Sequence, residues 1–152
     1  MAETQINDFI ARLMTGKRKT WLRTHPLFKR FGPYHRPSAG TGGEMPVPES
    51  VEAFLTATGY GDIAEVLSFR AEWIHVIDRG ELAGHVIFAQ DDGGNHYACS
   101  TSDKQIFFVS RRSPEYALIA TSLGDFLEEL ERRRFDLEGW TNGLELKAYN
   151  WE

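Results

Sequence analysis

A chain of 152 residues, 41% hydrophobic, 26% charged and 12% aromatic, is long enough to bury a core of its own and is neither disordered nor fibrous in composition. Its single cysteine, Cys99, excludes an internal disulfide, and no apolar run approaches the roughly 20 residues of a membrane span. The opening residues MAETQINDF lack the basic start and apolar run of a secretory signal, so the expected location is the cytoplasm.

The formal charge of −5 is spread unevenly. Residues 1–43 carry eight Lys/Arg against two acids, a balance of +6, while residues 44–152 carry nine against twenty, a balance of −11. An acidic body of this kind repels nucleic acid and attracts basic partners, and the N-terminal segment does the reverse.

Along the chain, Ile6, Phe9, Ile10, Leu13 and Met14 recur at helical spacing and predict a first helix over about residues 4–15, with Thr4 as N-cap and Gly16 as its stop. Residues 17–46 form a basic and loop-rich segment. Its first half is interrupted by Pro26, Gly32, Pro33 and Pro37, and residues 36–46 read as a flexible loop. Pro48 and Glu49 open a second helix with an apolar side at Val51, Phe54 and Leu55, ended by Gly59 and followed by a turn at residues 60–62. A strand is expected at 73–77, then a turn at 79–81.

Residues 84–90 form a better strand. Asp91-Asp92-Gly93-Gly94 is a hairpin signal, and strands over 95–100 and 105–109 complete an antiparallel meander. If the turn pairs Gln90 with Asn95, then Val86, Phe88, Tyr97 and Cys99 share the core face, and His85, Ile87, Ala89, His96, Ala98 and Ser100 share a mixed one. Ser122 and Asp125 outline a capping box before a helix whose buried stripe is Leu123, Phe126, Leu127 and Leu130. The tail, residues 135–152, keeps Phe135, Leu137, Trp140, Leu144, Tyr149 and Trp151 and should dock on the domain. The whole chain, 1–152, therefore reads as one α+β domain.

The chemistry-bearing residues are few. His85 and His96 lie on one face of the hairpin but roughly 10–13 Å apart, too far to share a metal ion. Cys99 has no helix N-terminus or basic neighbour to activate it, so a buried, inert thiol is expected. Gly40-Thr41-Gly42-Gly43 is not followed by the Lys-Ser/Thr of a phosphate loop, and Asp91-Asp92 lacks the distal glutamate of a calcium loop. No catalytic residue, metal ligand or cofactor site is assigned. Bases and aromatics interleave at Lys17, Arg18, Trp21 and Arg23, with Phe28, Lys29, Arg30, Phe31 and Tyr34 beyond. That pattern suits phosphate neutralisation with base stacking, so nucleic-acid or acidic-partner binding by residues 17–36 is the alternative function.

Ile87-Phe-Ala-Gln-Asp-Asp-Gly-Gly-Asn-His-Tyr97 resembles the apolar-Phe-Ala-x-Asp-Gly-Gly-Asn/Asp-x-Tyr hairpin of the SUKH superfamily, which includes the fungal Smi/Knr-type cell-wall-assembly regulators and many bacterial proteins. Val47-Pro-Glu-Ser-Val-Glu-Ala-Phe-Leu55 resembles that family's Leu-Pro-x-x-apolar-x-x-Phe-Leu helix, and Ala120-Thr-Ser-Leu-Gly-Asp-Phe-Leu127 the start of its last helix. Val47 and Leu123 stand in place of the pattern's Leu and Phe. The likeness covers about residues 47–130. It implies an α+β fold with a mixed or antiparallel sheet packed by N-terminal, middle and C-terminal helices, in which Pro48, Phe54, Leu55, Gly59, Phe88, Gly93, Gly94, Tyr97, Ser122, Phe126 and Leu127 build the scaffold. For bacterial members it implies no catalysis but an immunity role, binding and neutralising a polymorphic or contact-dependent toxin, often a nuclease. A regulatory or scaffolding role on the same fold is the other option. The partner is then another protein, a cognate toxin domain, with no membrane involved. The candidate contact residues are Asp91, Asp92, Asn95 and His96 at the hairpin and Lys17, Arg18, Trp21 and Arg23 in the basic segment.

Overall fold

The computed structural model describes residues 6–11, 28–37 and 46–150. The described part is α+β: an open antiparallel sheet of nine strands with helices on one face. Residues 6–11 are helical (α1), and Ile6 and Phe9 are buried in the core, as the spacing predicts. The expected cap Thr4, the stop Gly16 and the loop residues 38–45 fall outside the described residues. So do Lys17, Arg18, Trp21 and Arg23.

The strands are β1 (Phe28–Gly32), β2 (Tyr60–Ile63), β3 (Leu67–Phe69), β4 (His75–Val76), β5 (Val86–Asp91), β6 (His96–Cys99), β7 (Ile106–Val109), β8 (Glu115–Ala120) and β9 (Lys147–Ala148). They lie in the order β1-β2-β3-β5-β6-β7-β8-β9, with β4 beside β5. The helices are α2 (Glu49–Thr58), α3 (Leu123–Arg132) and α4 (Leu137–Asn142), with a 3₁₀ turn at Ala71–Trp73.

Both longer helices start where local chemistry says they should. Pro48 precedes α2, whose first turn holds Glu49 and Glu52, and Val51, Phe54 and Leu55 are buried. Glu52 also ties the preceding segment down, because it accepts from Tyr34 Oη at 3.1 Å and Arg36 Nε at 2.9 Å. Ser122 Oγ accepts from the Asp125 amide at 3.0 Å and caps α3, and Leu123, Phe126, Leu127 and Leu130 are buried. Ser122→Ala should cost about 1 kcal/mol in a urea titration. A cost near zero would mean that water caps α3 equally well.

Along the helix-covered face, rings link layer to layer. Phe54 meets Phe69 at 5.2 Å, Phe69 stacks on Phe88 at 6.3 Å, and Tyr97 meets Phe126 at 5.6 Å, which stacks on Trp140 at 5.5 Å. In the described part of the tail Phe135, Leu137 and Trp140 are buried and β9 pairs with β8, while Trp151 falls outside the described residues.

Four expectations need correction. Residues 60–62 are strand rather than turn. Gly59 alone makes the reversal, and Gly61 lets β1 approach so closely that a Cβ there would lie 2.3 Å from the Lys29 carbonyl oxygen. Only His75 and Val76 of the expected strand 73–77 pair as strand, because Trp73 closes the 3₁₀ turn. Residues 28–32, inside the segment read as loop-rich, pair with β2 as an edge strand.

The hairpin register also differs. Gln90 pairs with His96, not Asn95, and a bulge at Phe88 restores the expected face for Val86, Phe88, Tyr97 and Cys99. The bulge turns Ala89 to the core as well. The opposite face is more covered than a mixed pattern implies, since Ile87 and Ala98 are buried there.

On that opposite face one row of paired residues runs Lys29, Asp62, Ser68, Gln90, His96, Val109, Tyr116 and Lys147. None of the described helices covers it. A small cluster of Leu82, Tyr116 and Tyr149 packs there, supported by Ile77, Phe107 and Val109.

Candidate functional site

Hairpin β5–β6 ends in a tip organised by one carboxylate. Asp91 Oδ1 accepts from the amides of Gly93 at 3.0 Å and Asn95 at 2.9 Å, and Oδ2 accepts from the Tyr97 hydroxyl at 2.8 Å. The Asn95 side-chain amide donates to the same carboxylate, while its Oδ1 accepts from the Arg111 amide at 2.9 Å. Arg111 Nη1 donates to the Gly93 carbonyl at 3.1 Å, which fastens the β7–β8 loop to the tip. Gly94 sits at φ +88, a left-handed conformation that glycine adopts without strain. Burial pushes the Tyr97 phenol well above its ordinary range, and the neighbouring Asp91 carboxylate adds to the shift.

These bonds sort the predicted residues. Asp91 and Asn95 are consumed in holding the tip, whereas the Asp92 side chain is exposed and makes no hydrogen bond or ion pair among the described residues. Beside it lies a groove of about 470 Å³, lined by Asp91, Asp92 and Asn95 from the hairpin, Ser110 and Arg112 from the β7–β8 loop, and Glu138, Thr141 and Asn142 from α4. The Glu138 side chain is exposed and likewise free of such bonds among the described residues. Leu144 and the exposed Leu146 form an apolar side.

The groove thus unites Asp91, Asp92 and Asn95 with a stretch of tail some 45 residues away in sequence that sequence reasoning did not single out. Asp136 as a cap, with Glu138 in the first turn after it, was the available signal. Asp136 Oδ1 accepts from Gly139 N at 3.0 Å, which starts α4 and so orients Glu138.

His96 belongs elsewhere. It lies on the helix-free face, half-buried, between Gln90 and Val109, and its Nδ1 is buried without a hydrogen-bond partner among the described residues. Burial holds its pKa below the ordinary histidine value, His75 pushes the same way, and Asp91 opposes them. Below pH about 6.5 the unfolded chain therefore takes up a proton that the folded chain does not. Stability from this group is complete above that pH and declines as the pH falls toward the lowered pKa. Replacing His96 with Gln should flatten the stability slope below about pH 6.5 in urea titrations. An unchanged slope would place the titration elsewhere.

Cys99 points into the helix-side core with no exposed surface, and burial raises its thiol to about 12. It is on the opposite face of the sheet from His96. Among the described residues no three or more His, Cys, Asp or Glu side chains are grouped to hold a metal ion. Comparison with protein-family models, with curated proteins and with solved structures finds no match. Among the described residues no helix is long and apolar enough to cross a membrane.

On β1, Lys29, Arg30 and Phe31 are exposed. The Arg70 guanidinium lies over the Phe31 ring at 4.4 Å and near Trp73 at 5.3 Å.

Proposed function

We propose that this chain is a non-catalytic protein-binding domain of the SUKH type, acting in the cytoplasm as an immunity protein that neutralises a bacterial polymorphic or contact-dependent toxin. The observation that carries the reading is the groove beside the hairpin tip. Two free carboxylates, Asp92 and Glu138, stand over a rigid wall next to exposed Leu146. Such a surface accepts the lysine or arginine side chains of a basic partner, and the acidic body steers that partner in. The helix, hairpin and helix that carry the SUKH-like motifs occur in the family's order, and the matched residues Phe54, Phe88, Tyr97 and Phe126 are core residues rather than surface ones.

The test is association with a basic toxin domain captured from the source cell. Binding should weaken steeply with salt, and the double variant D92K/E138K should lose roughly 100-fold in affinity while folding normally. Capture of no toxin, or binding indifferent to both charges, would remove the proposal. Nucleic-acid binding by the basic segment is the second reading, supported by exposed Lys29, Arg30 and Phe31. The Arg70 guanidinium already occupies the Phe31 ring face on which a base would stack.

A further inference from the structure

A second, larger groove of about 720 Å³ lies on the helix-free face, within the roughly 300–1,000 Å³ of small-molecule sites. Its floor is apolar: Ile77 just after β4, Ile87 from β5 and Val109 from β7, with His75 of β4 beside Ile87. Tyr149 forms one wall and is held rigid. Its hydroxyl donates to the Arg79 carbonyl at 2.8 Å and accepts from the Leu82 amide at 3.0 Å, and its ring meets Tyr116 edge-on at 5.5 Å. The β7–β8 loop forms another wall and is pinned by Tyr149 N donating to the Pro114 carbonyl at 2.6 Å. A groove so built is pre-formed and loses little on binding.

The charges lining it divide by whether they are already used. Arg111 donates to the Gly93 carbonyl, and the Glu115 carboxylate accepts from the Ser113 hydroxyl at 2.6 Å. Arg112 and Asp78 have no side-chain hydrogen bond or ion pair among the described residues, and they do not pair with each other. One cation from the β7–β8 loop and one anion from the segment after β4 therefore line the groove beside its apolar floor. The complement of that arrangement is an apolar body with an ammonium at one point and a carboxylate at another.

We infer that the groove binds a short apolar peptide with free termini, its ammonium at Asp78, its carboxylate at Arg112 and its side chains on Ile87, Val109 and Tyr149. The site is separate from the hairpin groove except for Ser110 and Arg112, which border both, and it goes beyond the binding of a basic protein partner.

Calorimetric titration of the full chain with the dipeptide Leu-Phe tests this. Leu-Phe should bind saturably, and N-acetyl-Leu-Phe and Leu-Phe amide should each bind about tenfold more weakly. Asp78→Asn should abolish the difference between Leu-Phe and its N-acetyl form, and Arg112→Gln the difference between Leu-Phe and its amide. Both side chains are exposed, so the variants should keep the parent circular dichroism and melting curve. The inference is overturned if Leu-Phe gives no saturable heat up to about 10 mM, if the blocked peptides bind as tightly, or if octanoate binds as well as Leu-Phe. None of these results depends on whether a toxin partner is found, and Asp78→Asn leaves the hairpin groove untouched.

Discussion

Replacing Asp91 with alanine is expected to cost about 3 kcal/mol of folding stability and to lower the melting temperature by about 6–12 °C. The cost arises because one carboxylate satisfies two backbone amides, the Asn95 amide group and the Tyr97 hydroxyl. Tyr97 has no exposed surface, so removing its acceptor strands a hydroxyl inside the core. Tyr97→Phe, which deletes that hydroxyl, should cost only about 1 kcal/mol. The double variant should cost less than the two singles together, since the stranded donor is gone. Asp92→Ala, one residue further on, should stay within about 0.5 kcal/mol in the same urea titration and yet weaken partner binding. Equal stability losses at 91 and 92 would mean the tip is not held by Asp91 as described.

That contrast also marks how far the sequence could be read. Asp91 and Asp92 are adjacent, alike and both in a turn motif, and nothing local tells them apart. The hairpin itself was legible because Asp-Asp-Gly-Gly specifies a reversal by backbone preferences within four residues. Helices α2 and α3 were legible for the same reason: Pro48 with Glu49, and Ser122 with Asp125, act within one turn of each start. What could not be read depends on contacts between distant residues.

The register is one such case. Gln90 meets His96 because the bulge at Phe88 lets both Phe88 and Ala89 reach the core, and that advantage exists only once the helices cover the face. Strand β8 is another. Ser113-Pro114 and Thr121-Ser122 bound its Glu115-Tyr116-Ala117-Leu118-Ile119-Ala120 run, but the run has no clean alternation of apolar and polar residues, and its place between β7 and β9 follows only from the fold. The hairpin groove follows the same rule. Its hairpin half was named from sequence, but Glu138 joins it only because α4 folds back beside the tip.

Gly59→Ala is the second large effect, about 4 kcal/mol, and it tests whether the edge strand depends on a missing side chain. Gly59 has φ +83 and ψ 175, a region that is essentially closed to residues with a Cβ. A Cβ at this position would also lie 2.5 Å from the Gly32 carbonyl oxygen and 2.7 Å from Arg30 Nε, so β1 would have to move away from the end of α2. A second glycine of this chain gives a reference without the contact. Gly84 has φ +90 but nothing within 4 Å of the point where an alanine methyl would stand, so Gly84→Ala should show conformational strain alone, about 1–2 kcal/mol. The excess at Gly59 then combines its ψ of 175 with the close approach of β1, and the second part should appear as faster amide exchange over residues 28–32 than in the parent protein. Should the two alanines cost the same, β1 gives way freely, and the edge of the sheet is a loosely held strand rather than one seated on glycine.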